Sequence, residues 1–107
     1  MDSREKQDRI LKARISGVAS RHASARGGLN GPARAAAVAE LAELAAGRSD
    51  LLAEFAGMEV GLHEGDLDED CRVLAAQLCI EAGADTSQVP QWIEEGRRRA
   101  RDIASQR

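Results

Sequence analysis

Apolar residues recur every three or four positions along most of the chain, which is the period of an amphipathic α-helix. The first segment, residues 3–25, carries one narrow stripe of this kind, formed by Leu11, Ile15, Val18 and His22. A glycine-rich stretch follows, and a second helix is predicted from Pro32, which suits a first helical turn, to Ala46. No segment shows the strict alternation of apolar and polar residues that predicts a β-strand.

A third helix is predicted to lie in the centre of the structure. It begins after Ser49 or Asp50, either of which can cap a helix, and its main stripe consists of Leu51, Phe55, Met58 and Leu62. Gly57 and Gly61 lie four residues apart on a second face, where the backbone of a neighbouring helix could come close. Two packing faces on one helix indicate a central position.

The fourth and fifth helices have clear boundary signals. Asp66 followed by Glu69 resembles a capping box, and Gly83 ends the fourth helix. Pro90 lies in the first turn of the fifth helix, whose stripe is Val89, Trp92, Ile93, Gly96, Ala100 and Ile103. The predicted fold class is all-α, a compact bundle of four or five helices with short loops, in one domain over residues 1–107. Residues 1–10 are expected to fray and residues 27–32 to form a flexible connector.

The predicted core is small and poor in aromatic residues. Alanine supplies much of the 43% hydrophobic content, and the chain has one Phe, one Trp and no Tyr. The residues predicted to form the core are Leu11, Ile15, Val18, Leu41, Leu44, Leu51, Phe55, Met58, Leu74, Leu78, Trp92 and Ile93. Because a chain with so small a core gains stability from association, we expect a homo-oligomer, with the candidate interface residues Gly57, Gly61, Val73 and Ile80.

Charge is distributed unevenly around a net value of −3. Residues 1–26 hold seven basic and three acidic side chains, residues 27–95 hold three and fourteen, and residues 96–107 hold five and one. Two basic ends therefore flank an acidic middle. The ends either fold against that middle or bind a polyanion.

The arginines of the fifth helix have two competing interpretations. In the first, Arg97, Arg98 and Arg101 contact nucleic acid. In the second they belong to a solvated helix face balanced by carboxylates one turn away, in the pairs Glu94–Arg98, Arg98–Asp102 and Glu95–Arg99. We favour the second, because four arginines spaced by 100° cannot all face one row of phosphates.

Side chains suited to catalysis or metal binding are few. His22, His63, Cys71 and Cys79 are potential ligands, but the closely spaced cysteine pair of a structural zinc site does not occur. Cys71 and Cys79 belong to an apolar face and are expected to be buried, and His22 is expected to be a half-buried core residue. Glu59 and His63 form an i, i+4 pair typical of helix surfaces. We predict no catalytic residue, no metal and no cofactor.

The chain is expected to be cytoplasmic and not to bind membranes. No stretch approaches the ~20 apolar residues of a membrane span. The first residues, MDSREKQDR, are charged and lack the apolar centre of a signal peptide.

Residues 48–100 contain the motifs LLAEFAGMEVGLHEG, AAQLCIEAGAD and PQWIEEGRRRA. With these motifs the chain resembles a group of small all-helical actinobacterial proteins, often encoded near mobile-element genes. The resemblance implies a bacterial cytosolic context and brings no assigned activity or catalytic residue. We therefore expect a non-enzymatic protein-interaction or regulatory accessory module that self-associates. The alternative is a nucleic-acid-associated accessory factor that uses the basic N- and C-terminal helices.

Overall fold

The computed structural model describes residues 3–25, 30–64 and 69–106, which form five α-helices and no β-strand. The helices are α1 (Ser3–Ala23), α2 (Gly31–Ala45), α3 (Ser49–Leu62), α4 (Glu69–Glu81) and α5 (Val89–Ser105). The radius of gyration is 13.8 Å, close to the ~13 Å of a globular chain of this size. The predicted all-α bundle is confirmed.

Several helix boundaries follow from local signals. Asn30 caps α2, because its side chain accepts a hydrogen bond from the backbone N–H of Ala33 at 2.9 Å. Pro32 and Pro90 lie in the first turns of α2 and α5, as predicted. Gly83, with φ of +113°, lies two residues after the last residue of α4 in a left-handed conformation that favours glycine.

The boundaries of α1, α2 and α3 differ in part from those predicted. α1 is helical from Ser3 onward, and residues 30–32 of the predicted connector cap or begin α2. The predicted cap of α3 at Ser49 or Asp50 is wrong, since Arg48 occupies the cap position and no side chain caps the helix. The Arg48 guanidinium instead binds the carboxylates of Asp50 and Asp8 and so ties α1 to the start of α3. Asp66, predicted to cap α4, lies outside the described residues.

α3 is the central helix, as predicted, because it contacts each of the other four. α1, α2 and α4 also contact one another and surround one side of α3. Within the described chain, α5 contacts no helix other than α3. The bundle therefore consists of a group of four helices and one helix attached to its centre.

The core lies within the group of four helices and consists mainly of alanine. Nine of its fifteen buried residues are Ala, and its largest fully buried side chains are Ile15, Leu41, Leu78 and Cys79. Leu51 is buried as predicted, and six other predicted residues pack against the core partly buried: Leu11, Val18, Leu44, Phe55, Leu74 and Trp92. Two further residues predicted to form the core, Met58 and Ile93, are only half-buried, so their predicted place in it is corrected.

Three glycines form the contact between α3 and α5. A Cβ added to Gly57 would lie 2.7 Å from the carbonyl oxygen of Val89, and one added to Gly61 would lie 2.9 Å from the backbone nitrogen of Arg97. On α5, a Cβ at Gly96 would lie 2.8 Å from the backbone nitrogen of Leu62. The two helices thus meet backbone against backbone, as the glycine spacing predicted. Since successive glycines of α3 face successive turns of α5, the two helices run in the same direction.

Candidate interaction surface

Large apolar side chains line one open edge of α3. α1 and α5 do not contact each other, so no helix covers the edge of α3 that lies between them. Phe55 and Met58 line a cleft of about 200 Å³ at this edge, with Lys12 of α1 and Arg99 of α5 at its margins. Phe55 and Met58 stay half-exposed here because no described helix covers this edge.

A second cleft adjoins the first on α5. Its volume is about 380 Å³, and its lining includes Trp92, Glu95 and Arg99. Arg99 lines both clefts, so the two form one continuous surface. We call this surface the aromatic face and define it by the apolar residues Phe55, Met58 and Trp92 and the marginal residues Lys12, Glu54, Glu95 and Arg99.

The position of Trp92 follows from the glycine contact. An added Cβ at Gly57 would collide with the Cβ of Trp92, so the absence of a side chain at Gly57 is what lets α5 lie against α3. The indole N–H of Trp92 is buried and has no hydrogen-bond acceptor among the residues described. Because a buried N–H without an acceptor costs free energy, packing rather than hydrogen bonding holds this side chain.

The margins of the aromatic face carry both signs of charge. Lys12 Nζ lies 3.3 Å from Glu54 Oε2, and Arg99 Nε lies 3.3 Å from Glu95 Oε1. Hydrogen bonds from Arg98 and, to a smaller extent, Arg99 lower the pKa of Glu95, so its carboxylate stays ionised well into the acidic range. Each margin therefore consists of one cation and one anion, and the face as a whole is neutral.

The arginines predicted as candidate nucleic-acid contacts all lie beside carboxylates. The partners are Glu64 for Arg97 (2.6 Å), Glu95 and Asp102 for Arg98 (3.4 Å to Asp102) and Glu94 for Arg101 (3.4 Å). Two of the three predicted i, i+4 pairs occur, Arg98–Asp102 and Glu95–Arg99, whereas Arg98 pairs with Glu95 in place of Glu94. This arrangement is typical of a solvated helix face. Together with Lys12–Glu54, the Arg97–Glu64 pair also connects the basic ends to the acidic middle.

The residues predicted to mediate self-association are not brought together. Gly57 and Gly61 are buried against α5 of the same chain, so a second copy cannot reach them. Val73 is half-buried beside a small cleft between α3 and α4, and Ile80 is 39% exposed on α4. Of the four residues, only Val73 and Ile80 remain open to a partner.

A polar cavity of about 330 Å³ lies where α1, α3 and α4 meet. Ser20, Glu59, Cys71 and Arg72 are among the residues that line it. Glu59 Oε1 lies 3.1 Å from Arg72 Nη1 and 3.9 Å from His63 Nε2, so this carboxylate already has two basic neighbours within the chain. Within the described ranges, no group of three His, Cys, Asp or Glu side chains could hold a metal ion.

The two cysteines and His22 occupy different environments. Cys79 is buried as predicted, and burial, with a smaller contribution from Glu59, raises the pKa of its thiol to about 12. The prediction that Cys71 is buried is wrong, because this residue is exposed near the start of α4. His22 is half-buried as predicted, and its Nε2 lies 2.7 Å from Glu40 Oε2.

A wide groove of about 630 Å³ lies between α2 and α4 on another side of the molecule. Val38 and several alanines line it, and the ion pair between Arg34 and Glu81 (2.7 Å) crosses it. Because alanine offers little apolar surface to a partner, the aromatic face is the stronger candidate for an interaction surface.

We compared the chain with protein-family models, curated proteins and solved structures, and none of the three comparisons found a match. None of the described helices is both long and apolar enough to cross a lipid bilayer.

The aromatic face was not predicted from the sequence, because the stripes of α3 and α5 predicted a buried position for its residues. The spacing of Arg99 seven residues after Trp92, which puts both on one side of α5, was a signal that could have identified it.

Proposed function

We propose that the protein is a non-enzymatic interaction module with a regulatory or accessory role and that it self-associates through the aromatic face. The observation that carries this proposal is the position of the only Phe and the only Trp of the chain. Both are half-buried and pack against the edge of a core that consists mainly of alanine. Protein interfaces are enriched in aromatic residues, Met and Arg, and the aromatic face combines Phe55, Met58, Trp92 and Arg99.

The charges of the aromatic face favour a second copy of this chain as its occupant. The ion pairs Lys12–Glu54 and Arg99–Glu95 make both margins neutral. Two identical neutral patches related by a two-fold axis can meet without an excess of like charge. A strongly acidic or basic partner would find no complementary field there.

The contact can extend beyond the two clefts along α5. Stable dimers bury at least about 1,200 Å² of surface in total. Ile103 is 51% exposed and follows Arg99 by four residues, which puts it on the same side of α5 as Trp92. Covering these side chains would remove apolar surface from water at about 25 cal/mol per Å².

Two further observations support a non-enzymatic role in a bacterial cytoplasm. Arg72 and His63 engage the carboxylate of Glu59 in the polar cavity, and Cys79 stays protonated at neutral pH. The resemblance of residues 48–100 to small actinobacterial proteins supports the cytoplasmic setting.

Sedimentation velocity and Trp92 fluorescence, measured from submicromolar to high micromolar concentration, test the proposal. We expect a monomer–dimer equilibrium, with the emission of this single Trp shifting to shorter wavelength as the dimer forms. Met58→Lys should weaken the dimer at least tenfold, about 1.4 kcal/mol, because dimerisation would bury a charge without a partner.

Ile10→Lys is the matched control. Ile10 is also an exposed apolar residue, at 48%, but helical spacing puts it about 160° from Lys12 around α1, away from the aromatic face. This variant should dimerise like the wild type. If Met58→Lys fails to give a normal helical circular dichroism spectrum, Ile103→Lys replaces it. A wild-type protein that stays monomeric at high micromolar concentration, or equal weakening by face and control variants, would refute self-association through this face.

A further inference from the structure

One group of basic side chains forms no ion pair with any described residue. Nine described Lys and Arg residues form ion pairs: Lys12, Arg21, Arg34, Arg48, Arg72, Arg97, Arg98, Arg99 and Arg101. Lys6, Arg9 and Arg14 form none with any residue of the described ranges, and all three are exposed. The remaining cation of the described ranges, Arg4, lies near Asp8, whose pKa is lowered chiefly by the hydrogen bond from Arg48 and to a smaller extent by the charge of Arg4. Among the described residues, these three cations without an ion pair therefore all lie on α1, between residues 6 and 14.

These three side chains share the solvent side of α1. Ile15, which is fully buried, marks the side that packs on the bundle. At 100° per residue, Lys6 lies about 180° from Ile15, whereas Arg9 and Arg14 lie about 120° and 100° from it in opposite directions. Along the axis, the positions span about 12 Å. We call Lys6, Arg9 and Arg14 the outer face of α1.

The two basic helices, α1 and α5, thus differ in how their cations are paired, although both carry an excess of basic residues. The cations of α5 have carboxylates within ion-pair distance on the same helix or on Glu64. The outer face of α1 has no such partner among the residues described, so its charges act on solvent and on whatever approaches it. Since charge is screened beyond about 8 Å at physiological salt, this local excess matters more at contact than the net charge of −3.

The composition of the outer face points to one class of anion. Ala13 lies between the cations and Gly17 lies just beyond them, so both leave the helix surface low, and Ile10 is the single large apolar side chain there. An interfacial membrane helix needs a broad apolar face, and binding to single strands relies on aromatic side chains that stack on bases. Neither is present on this face. A duplex backbone, which carries one charge per about 1.7 Å of axis, needs only exposed cations.

We infer that the outer face of α1 docks on the phosphate backbone of a nucleic-acid duplex without reading its sequence. This inference is independent of self-association, since it uses another helix face. It also assigns phosphate contact to Lys6, Arg9 and Arg14, in place of the arginines of α5.

Binding of a fluorescently labelled DNA duplex of about 20 base pairs, followed by anisotropy at low and at physiological salt, tests the inference. Because Arg9 and Arg14 lie about 140° apart around α1, we expect two to three phosphate contacts, so log K should fall with log salt with a slope of about −1.8 to −2.7. The triple variant Lys6→Gln, Arg9→Gln, Arg14→Gln should bind at least tenfold more weakly at low salt. Its charge-matched control is Arg97→Gln, Arg98→Gln, Arg101→Gln, which should change affinity by less than about threefold.

Contradictory results are equally specific. Absence of duplex binding by the wild type at low salt would overturn the inference, as would equal losses in the two triple variants. Binding of phosphatidylserine vesicles that depends on the outer face, without binding of the duplex, would overturn it in favour of a membrane surface. Circular dichroism and the sedimentation assay should show both variants folded and dimerising like the wild type, which separates this test from the test of self-association.

Discussion

α3 contacts its neighbours in two different ways. On one side α5 lies against Gly57 and Gly61, and the two backbones nearly touch. On the other side, buried Ala, Leu and Ile side chains separate α3 from α1, α2 and α4. The contact with α5 forms only because the glycines have no side chains, whereas the contact with α1, α2 and α4 is formed by the side chains themselves. The two sides should therefore respond differently to the addition and to the removal of single methyl groups.

The glycine contact should be the most sensitive position in the molecule. Gly61→Ala would place a Cβ 2.9 Å from the backbone nitrogen of Arg97 and 3.0 Å from the Cα of Gly96, and backbone atoms cannot turn away as a side chain can. We expect a loss of more than about 3 kcal/mol, the upper end of overpacking, with Trp92 becoming more exposed as α5 separates. Urea denaturation followed by circular dichroism and Trp fluorescence measures both. Unchanged stability would show that the helices are further apart than described.

Removing atoms from the four-helix side should have a similar but smaller effect. Leu41 is fully buried, and Leu41→Ala should cost about 3 kcal/mol through lost burial and the cavity that remains. α5 does not contact α2, so the native Trp92 emission should stay unchanged before unfolding. A shift of that emission in the folded variant would mean that the two sides of α3 are coupled.

A glycine outside both contacts should give an effect of opposite sign. Gly17 lies inside α1, and a Cβ added there meets nothing within 4 Å. Gly17→Ala should therefore stabilise the fold by about 0.5–1 kcal/mol, because alanine loses less backbone freedom in a helix. The same melts as for Gly61→Ala measure it. If Gly17→Ala destabilised the fold, it would contradict the view that the effect of a Gly→Ala change on stability depends on where the glycine lies in the structure.

The smallest expected difference is one of pH. Glu40 joins α2 to α1 through His22 (2.7 Å) and Arg21 (2.8 Å), and these hydrogen bonds, chiefly the one with His22, hold its pKa below the ordinary 4.5. A carboxyl with a lower pKa in the folded chain stabilises the fold above that ordinary value. The contribution is lost as the pH falls through the lower, folded pKa.

Glu40→Gln should consequently make Tm less dependent on pH in the acidic range. Melting curves followed by circular dichroism between about pH 3 and pH 7 measure this slope. Glu43→Gln, at an exposed position of the same helix, is the control and should leave the slope as in the wild type. Identical slopes for the two variants would contradict a role of Glu40 in holding α1.

Part of the candidate site could be predicted from the sequence and part could not. The pairing of arginines with carboxylates on α5 follows from i, i+4 spacing, which any helix imposes on its surface. The partial exposure of Phe55 and Met58 could not be predicted in this way. An apolar stripe shows which side of α3 is suited to burial, but it does not show whether a neighbouring helix covers that side. The same limit explains Cys71, which shares an apolar stripe with buried residues yet lies exposed near the start of α4.

Local chemistry alone determined the five helices and several of their ends. The carboxamide of Asn30 caps α2 within its own turn, Pro90 requires only a first-turn position, and Gly83 supplies a left-handed φ. Tertiary structure decided which of the many alanines are buried and left Phe55 and Trp92 half-buried at the edge of the core. It did so because Gly57, Gly61 and Gly96 bring α5 against α3 alone, and the edge between α5 and α1 stays open.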